Sequence, residues 1–464
     1  MTILLGHRFE SIQYGILTDM LSVNEKIFYS EKINGVLSDE ALIGSMLRFE
    51  AAVALSQARS GIIPSGAAQA IERNCTPEKL NFSKLAQEAR LGGNVVIPLV
   101  KQLTKLVGED DREAANYVHF GVTSQDVIDS SYMICLKEAT IRLERDLQLL
   151  VNQLADLTRK HRGTIMAGRT FLQQARPITF GLKTAGWLDA LLRSRKSIRE
   201  ELGEAFTLQL GGAVGTLSSM QDHGIRVAEA LGEMLGLAVP DKPWHSQRDR
   251  LVSLASCYGI LTGNLGKMAK DISLLSQTEI AEVMEPVSEG KGGSSAMPHK
   301  VNPAGCICIL ANSARVPSLL STLHVALVGD HERATGLWHA EWQTITDLVQ
   351  LTGGALARAV EITDGLVVDG KQMLNNLELT RGLIYAENVA IALAPLMDRA
   401  QAHLLIEQCC LEARRNSLHL KDVCLNHPMI RKLLEPSEIE VCFDPTHSLG
   451  VSKEFIDRVL ERLG

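Results

Sequence analysis

Between Pro243 and Pro286 the chain contains no proline, and one apolar stripe runs through most of the interval. Leu251, Leu254, Tyr258, Leu261, Leu265, Met268, Ile272 and Leu275 recur in steps of three and four. This heptad seam predicts a helix that packs along its length against other helices, because that spacing puts the apolar side chains on one helical face. At 1.5 Å per residue such a helix is about 50 Å long. A second seam, also free of proline, reads Leu136, Thr140, Leu143, Leu147, Leu150, Leu154, Leu157. A third follows Pro303 through Leu310, Leu319, Leu323 and Val328, with a kink expected at Pro317. Several helices of this length exceed what one monomeric domain usually holds. The expectation is therefore a bundle that continues across subunits, with the Leu251–Leu275 seam buried between them.

The rest of the composition agrees. Aromatic residues are 4% and prolines number 14, which favours helix over a sheet-rich sandwich or barrel. With 464 residues, 45% of them hydrophobic, the chain buries a large core without disulfide or metal staples, and disorder is excluded. The expected class is all-α, in three domains: a short-helix region over 20–111, the long-helix bundle over 112–364 and a C-terminal helical region over 365–464. A net charge of −7 gives no bulk attraction for nucleic acid or an anionic membrane, so an anionic substrate needs a local cationic pocket. Nine cysteines, an odd number without metal-ligand spacing, read as reduced thiols in a cytoplasm. No apolar run approaches the ~20 residues that span a bilayer. Met1 to Leu5 is too short an apolar patch for a secretory signal.

Glycine-rich stretches are easily over-read. Gly290-Lys291-Gly292-Gly293-Ser294-Ser295 lacks the spacing and preceding strand of a phosphate-binding loop. Leu210 to Gly215 lacks the βαβ context of a dinucleotide fingerprint. The stretch His331 to Glu341 lacks the H-E-x-x-H spacing of a zinc helix. No metal or organic cofactor is expected.

The segment Gly292-Gly293-Ser294-Ser295-Ala296-Met297-Pro298-His299-Lys300-Val301-Asn302-Pro303 is more than a flexible interhelical loop, which would leave its lysine, asparagine and paired serines unexplained. It strongly resembles the G-S-S-x-M-P-x-K-x-N signature of the fumarase/aspartase superfamily. His119-Phe120-Gly121-Val122-Thr123-Ser124-Gln125-Asp126 resembles the first conserved region of that superfamily, and Gly168 to Pro177 the second. Gly211 to Thr216, Trp244 to Arg250, His331 to Trp342 and Thr380 to Ile384 extend the likeness over nearly the whole chain from about Ile27. The Thr-Ser-Gln-Asp form, Leu172-Gln173-Gln174 and Trp338-His339-Ala340-Glu341-Trp342 resemble the cycloisomerase branch in particular. Because Met20 begins like a family N-terminus, residues 1–19 read as an extension outside the fold.

The resemblance implies an all-α homotetramer whose active sites are assembled from three subunits. It implies a small tricarboxylate substrate, and a reaction that removes a proton beside a carboxylate and expels a group from the neighbouring carbon, or the reverse. Such a proton is weakly acidic, so donors and a cation are needed where charge develops. Lys300 is a suitable point charge and Asn302 an amide donor. Thr123 and Ser124 offer hydroxyls at a helix start, and Gln173 a further donor. The resemblance makes Ser294 the proton-transfer residue, ahead of Ser295. A serine is a poor base unless its alkoxide is stabilised, a task open to the N–H groups of the glycine-rich loop and to Lys300 when the loop closes. His119, His245, Arg248, Arg250 and Arg333 read equally as carboxylate-binding groups and as ion-pair residues. Lyases that act on purine or arginine succinates usually have histidine where this chain has Phe171, and the purine enzymes a second one where it reads Gly92-Gly93-Asn94. The cycloisomerases commonly have an apolar or aromatic residue at the Phe171 position. A fumarate-releasing lyase of the same superfamily and a non-catalytic structural member are the alternative readings.

Overall fold

The computed structural model of the chain describes residues 21–287 and 290–463, so the expected extension over 1–19 lies outside the described residues. The chain is all-α, as expected. A helix α1, Asp39–Arg59, precedes five long ones: α2 Ser124–Lys160, α3 Phe180–Glu204, α4 Asp249–Leu275, α5 Ala304–Ala326 and α6 Leu337–Asp364. The expected seams lie on α2 and α4, and α5 runs through Pro317 as one helix. Val328, assigned to the third seam, falls beyond its end and is exposed. Strand content is small: an antiparallel hairpin of β1 Ile165–Thr170 and β2 Gln173–Thr179, and the short pair β3 Val283–Met284 with β4 Val367–Val368.

The chain divides into two compact units, whose boundaries fall inside the long helices. The first takes the chain up to Asp146 with 194–263 and 311–357. Within it α2 meets α4 through the Thr140 and Tyr258 hydroxyls, and α4 meets α6 through Thr262 and Thr352, 2.9 Å apart. Buried Asn312 of α5 donates to the Leu351 carbonyl of α6. The second unit takes 147–193, 264–310 and 358 onward. There the Thr158 hydroxyl of α2 bonds that of Thr184 on α3, and the Trp187 indole of α3 donates to Asp271 of α4. Its C-terminal part has an apolar core of its own around Val389, Leu405, Leu420 and Ile430.

One expectation is overturned. Every member of the Leu251–Leu275 seam is at most 4% exposed within a single chain. The seam is thus spent on intrachain packing, and a contact with another copy needs other faces. Helix α5 offers such a face. Its length and composition would suffice to cross a bilayer, contrary to the expectation that no apolar run does, and only a third of its most apolar stretch is buried. Ile307 and Val325 on α5, and Ile260 on α4, are more than half exposed.

Candidate active site

In the first unit, residues 118–123 form the loop that enters α2. Thr123 is its N-cap: the Thr123 carbonyl accepts the Asp126 N–H, and the Asp126 carboxylate reaches back to the Thr123 N–H at 3.1 Å. This is the return half of a capping box, with aspartate at the third helical position. The fully buried Asp126 also accepts the N–H groups of Gly211 and Gly212, each at 2.9 Å, and His245 Nε2 at 2.7 Å. One carboxylate thereby ties the hydroxyl-bearing turn to the glycine loop. A Cβ at Gly211 would sit 2.7 Å from the His245 ring, so that glycine is required by close approach. The Thr123 and Ser124 hydroxyls are half-buried and bond nothing among the described residues.

His119 lies on the same loop in the left-handed region, φ 60°, which is rare for a residue with a Cβ. Its Nδ1 is 2.6 Å from Oε1 of Glu50, a fully buried side chain in α1. Arg333 reaches the glycine loop from the other direction and donates to the Ala213 carbonyl at 3.1 Å. Its Nε is buried without a partner, and no carboxylate of the described residues pairs with it. The first unit therefore brings His119, Thr123, Ser124 and Arg333 around one set of loops.

Arg248 has a different allegiance. It is buried between Asp129 and Glu341, at 2.8 and 2.6 Å, with its guanidinium carbon 4.6 Å from the centre of the Trp244 ring. Burial works against its charge, but the two carboxylates hold its pKa above the ordinary value. Burial also raises the carboxyl of Glu341, against the pull of Arg248. Trp338 donates to Asp129 and Trp244 to the Leu208 carbonyl. These groups are consumed by one another, so Arg248 is a core ion pair and not a group open to substrate.

In the second unit the β1–β2 hairpin turns at Phe171-Leu172, both with positive φ, 50° and 64°. Two-residue hairpins favour Asn-Gly there, and two bulky residues in this region store strain. Phe171 is 99% exposed, and Gln173 beside it is exposed too. The base of the hairpin is rigid. Arg169 makes a two-pronged pair with buried Glu282 at 2.6 and 2.9 Å, Asn376 donates to Glu282 at 2.8 Å, and Gln174 donates to the Asn376 carbonyl at 2.7 Å.

The signature loop is stapled at its root. Glu285 before it accepts the N–H groups of Gly305 and Cys306 at the start of α5, at 3.0 and 2.7 Å. Higher up, the Asn302 N–H bonds the Gly292 carbonyl at 2.8 Å. A Cβ on Gly292, whose φ is 71°, would stand 2.5 Å from the Asn302 carbonyl oxygen. Above this neck Ser294 Oγ accepts the backbone N–H of Met297 at 3.1 Å and of Ala296 at 3.4 Å. Lys300 is exposed and Asn302 half-buried. The second unit thus places Ser294, Lys300 and Asn302 on one loop and Gln173 on the hairpin.

Glu50, the hub role of Asp126 and the Arg169–Glu282 pair were missed at the level of sequence. The first leaves a trace as a lone acid inside Phe49-Glu50-Ala51-Ala52-Val53, and the second as the Thr123-x-x-Asp126 spacing.

Comparisons with known proteins agree with this architecture. A family model described as lyase matches residues 14–318, and one described as adenylosuccinate lyase C-terminus matches 382–459. The chain is 45% identical to 3-carboxy-cis,cis-muconate cycloisomerase of Pseudomonas aeruginosa, over 93% of this chain and 94% of that one. Among solved structures, 3-carboxy-cis,cis-muconate lactonizing enzyme from Pseudomonas putida superposes with TM-score 0.90 at 42% identity, covering 95% of this chain and 98% of the other. Fumarate lyase from Mesorhizobium sp. BNC1 gives TM-score 0.86 at 34% identity, covering 94% and 98%. A signature loop, a fold and a sequence shared along almost the whole length lead to one conclusion: the chain belongs to the fumarase/aspartase superfamily of enzymes.

Proposed function

We propose that the chain is a 3-carboxy-cis,cis-muconate cycloisomerase, which interconverts that tricarboxylate and its carboxylated muconolactone. Relatives of that name at more than two-fifths identity over nearly the full length support the substrate. The geometric observation that carries the chemistry is Ser294 Oγ, already the acceptor of two backbone N–H groups. Those donors stabilise negative oxygen, which makes a serine alkoxide usable as a base. In the eliminating direction the alkoxide takes the proton from the carbon that bears the activating carboxylate, next to the ring carbon that holds the lactone oxygen. The electron pair forms the carbon–carbon double bond, and the lactone C–O bond breaks to release a carboxylate. In the lactonising direction the carboxylate oxygen adds to the alkene and Ser294 O–H returns the proton. Lys300 and Asn302 face the charge that develops on the activating carboxylate. Thr123, Ser124, His119 and Arg333 receive the remaining carboxylates. The leaving group is itself a carboxylate of low pKa, so Phe171 in place of a histidine acid is tolerated.

The assembly is a homotetramer with sites shared between copies. Two observations support it: the outward apolar residues of α4 and α5, and a strained, exposed Phe171-Leu172 tip next to Gln173. The compartment is the cytoplasm, in keeping with nine free cysteine thiols. The test is an ultraviolet assay with 3-carboxy-cis,cis-muconate run beside a fumarate-release assay on substituted succinates. Turnover of the first substrate is expected; fumarate release without it would move the assignment to the sister lyases, and no turnover of either to a structural role.

A further inference from the structure

Glu50 is a carboxylate in the middle of an apolar helix face, 1% exposed, and the structure gives it a single partner. Oε1 lies 2.6 Å from His119 Nδ1, and Oε2 is buried with no hydrogen bond among the described residues. A buried carboxylate so poorly solvated is costly unless its one partner carries the opposite charge. A contact of 2.6 Å is shorter than neutral N–H···O bonds, in the direction that charge assistance shortens them.

His119 is held where it meets that carboxylate. Its backbone sits at φ 60°, and Gln57 of α1 donates to the carbonyl of the next residue, Phe120, at 2.6 Å. A strained residue pinned from two sides is what an imposed side-chain orientation requires. The imidazole is not sealed in: the side chain is 19% accessible, and Nε2 has no protein partner among the described residues. Four residues further on begin the unengaged hydroxyls of Thr123 and Ser124.

We propose that Glu50 is a positioning residue that keeps His119 an imidazolium, so that its free Nε2–H is a cationic donor to a substrate carboxylate beside the Thr123–Ser124 turn. This rests on the tricarboxylate reading above and deepens it. It also gives His119 a definite role. With Nδ1–H given to Glu50, both ring nitrogens of the imidazolium are donors, so His119 binds and orients carboxylate and does not serve as the base.

The charged groups acting on the ring are Glu50 from α1 and Asp126 from the first turn of α2. Cys75 lies behind Glu50, and His245 on the far side of Asp126. Burial opposes the charge on His119, but Glu50 and Asp126 outweigh it, and the ring's pKa is raised. A histidine raised in this way contributes stability that is complete below its unfolded pKa, near 6.5, and is lost as pH rises through the folded value.

Glu50→Gln keeps shape and an acceptor while removing the charge. At pH 7.5 it is expected to raise KM about tenfold, equivalent to ~1.4 kcal/mol, with kcat much less affected. The KM defect should shrink as pH falls through about 6.5, where the unpaired imidazole protonates by itself. His119→Asn should show the defect at every pH, and Glu50→Asp should recover part of the wild-type KM. A Glu50→Gln enzyme with unchanged KM, or with a defect independent of pH, overturns the proposal. The melting temperature of wild type minus Glu50→Gln, followed against pH, requires no substrate. It should be largest near pH 6 and decline on the alkaline side, and a flat difference refutes the ion pair whatever the reaction proves to be.

Discussion

Ser294 and Arg248 show how differently two polar residues of similar promise are used. Ser294 Oγ stands above a closed loop neck with two N–H donors already aimed at it, so the proposed alkoxide would form there with little reorganisation. Ser294→Ala is expected to lower kcat by at least ~10²–10³, the usual cost of losing one group aimed at developing charge, with melting temperature and assembly unchanged. Under the proposed roles Lys300→Met should raise KM as well, since its charge would face the substrate carboxylate in ground and transition states alike, and steady-state kinetics separate the two. Arg248, by contrast, neutralises two buried carboxylates. Arg248→Met leaves both uncompensated and should destabilise the chain by about 3–5 kcal/mol, read by denaturant unfolding.

At the scale of elements, the β1–β2 hairpin sets a rigid base against a strained tip. The Arg169–Glu282 pair fixes the base, while Phe171 and Leu172 occupy a backbone region that costs about 1–3 kcal/mol for each such residue. Replacing the tip by the turn's preferred residues, Phe171→Asn with Leu172→Gly, should raise the melting temperature. If the tip serves a site, the same double variant loses kcat/KM; a stabilised enzyme of undiminished activity would show the tip to be dispensable. The signature loop depends on Gly292 in the same physical sense. Gly292→Ala puts a Cβ against the Asn302 carbonyl and should open the neck, removing activity while far-ultraviolet circular dichroism stays unchanged.

On the scale of the whole molecule, the question is which apolar surface remains once the chain has satisfied itself. The α4 seam does not remain, since it is buried within one chain; Ile260 and Ile307 do. The double variant Ile260→Asp with Ile307→Asp should convert the proposed tetramer into smaller species by light scattering, while each chain keeps its helical spectrum. Loss of activity in step with dissociation would tie the site to the assembly. A wild-type chain that is monomeric at micromolar concentration would contradict both.

The sequence by itself determined the all-α class, the places of α2 and α4 and the signature loop, because helical periodicity and a contiguous motif are local properties of the chain. Even the Thr123–Asp126 cap is written within four residues. The tertiary structure alone decided which surface each seam covers. It also decided that Arg248 belongs to Asp129 and Glu341, that Glu282 anchors the hairpin, and that Glu50 holds His119. Those pairs join residues 119, 93, 113 and 69 positions apart. Contacts at such separations leave no period in the sequence. They are fixed only when packing brings the elements together, and the need to compensate each buried charge then selects its partner.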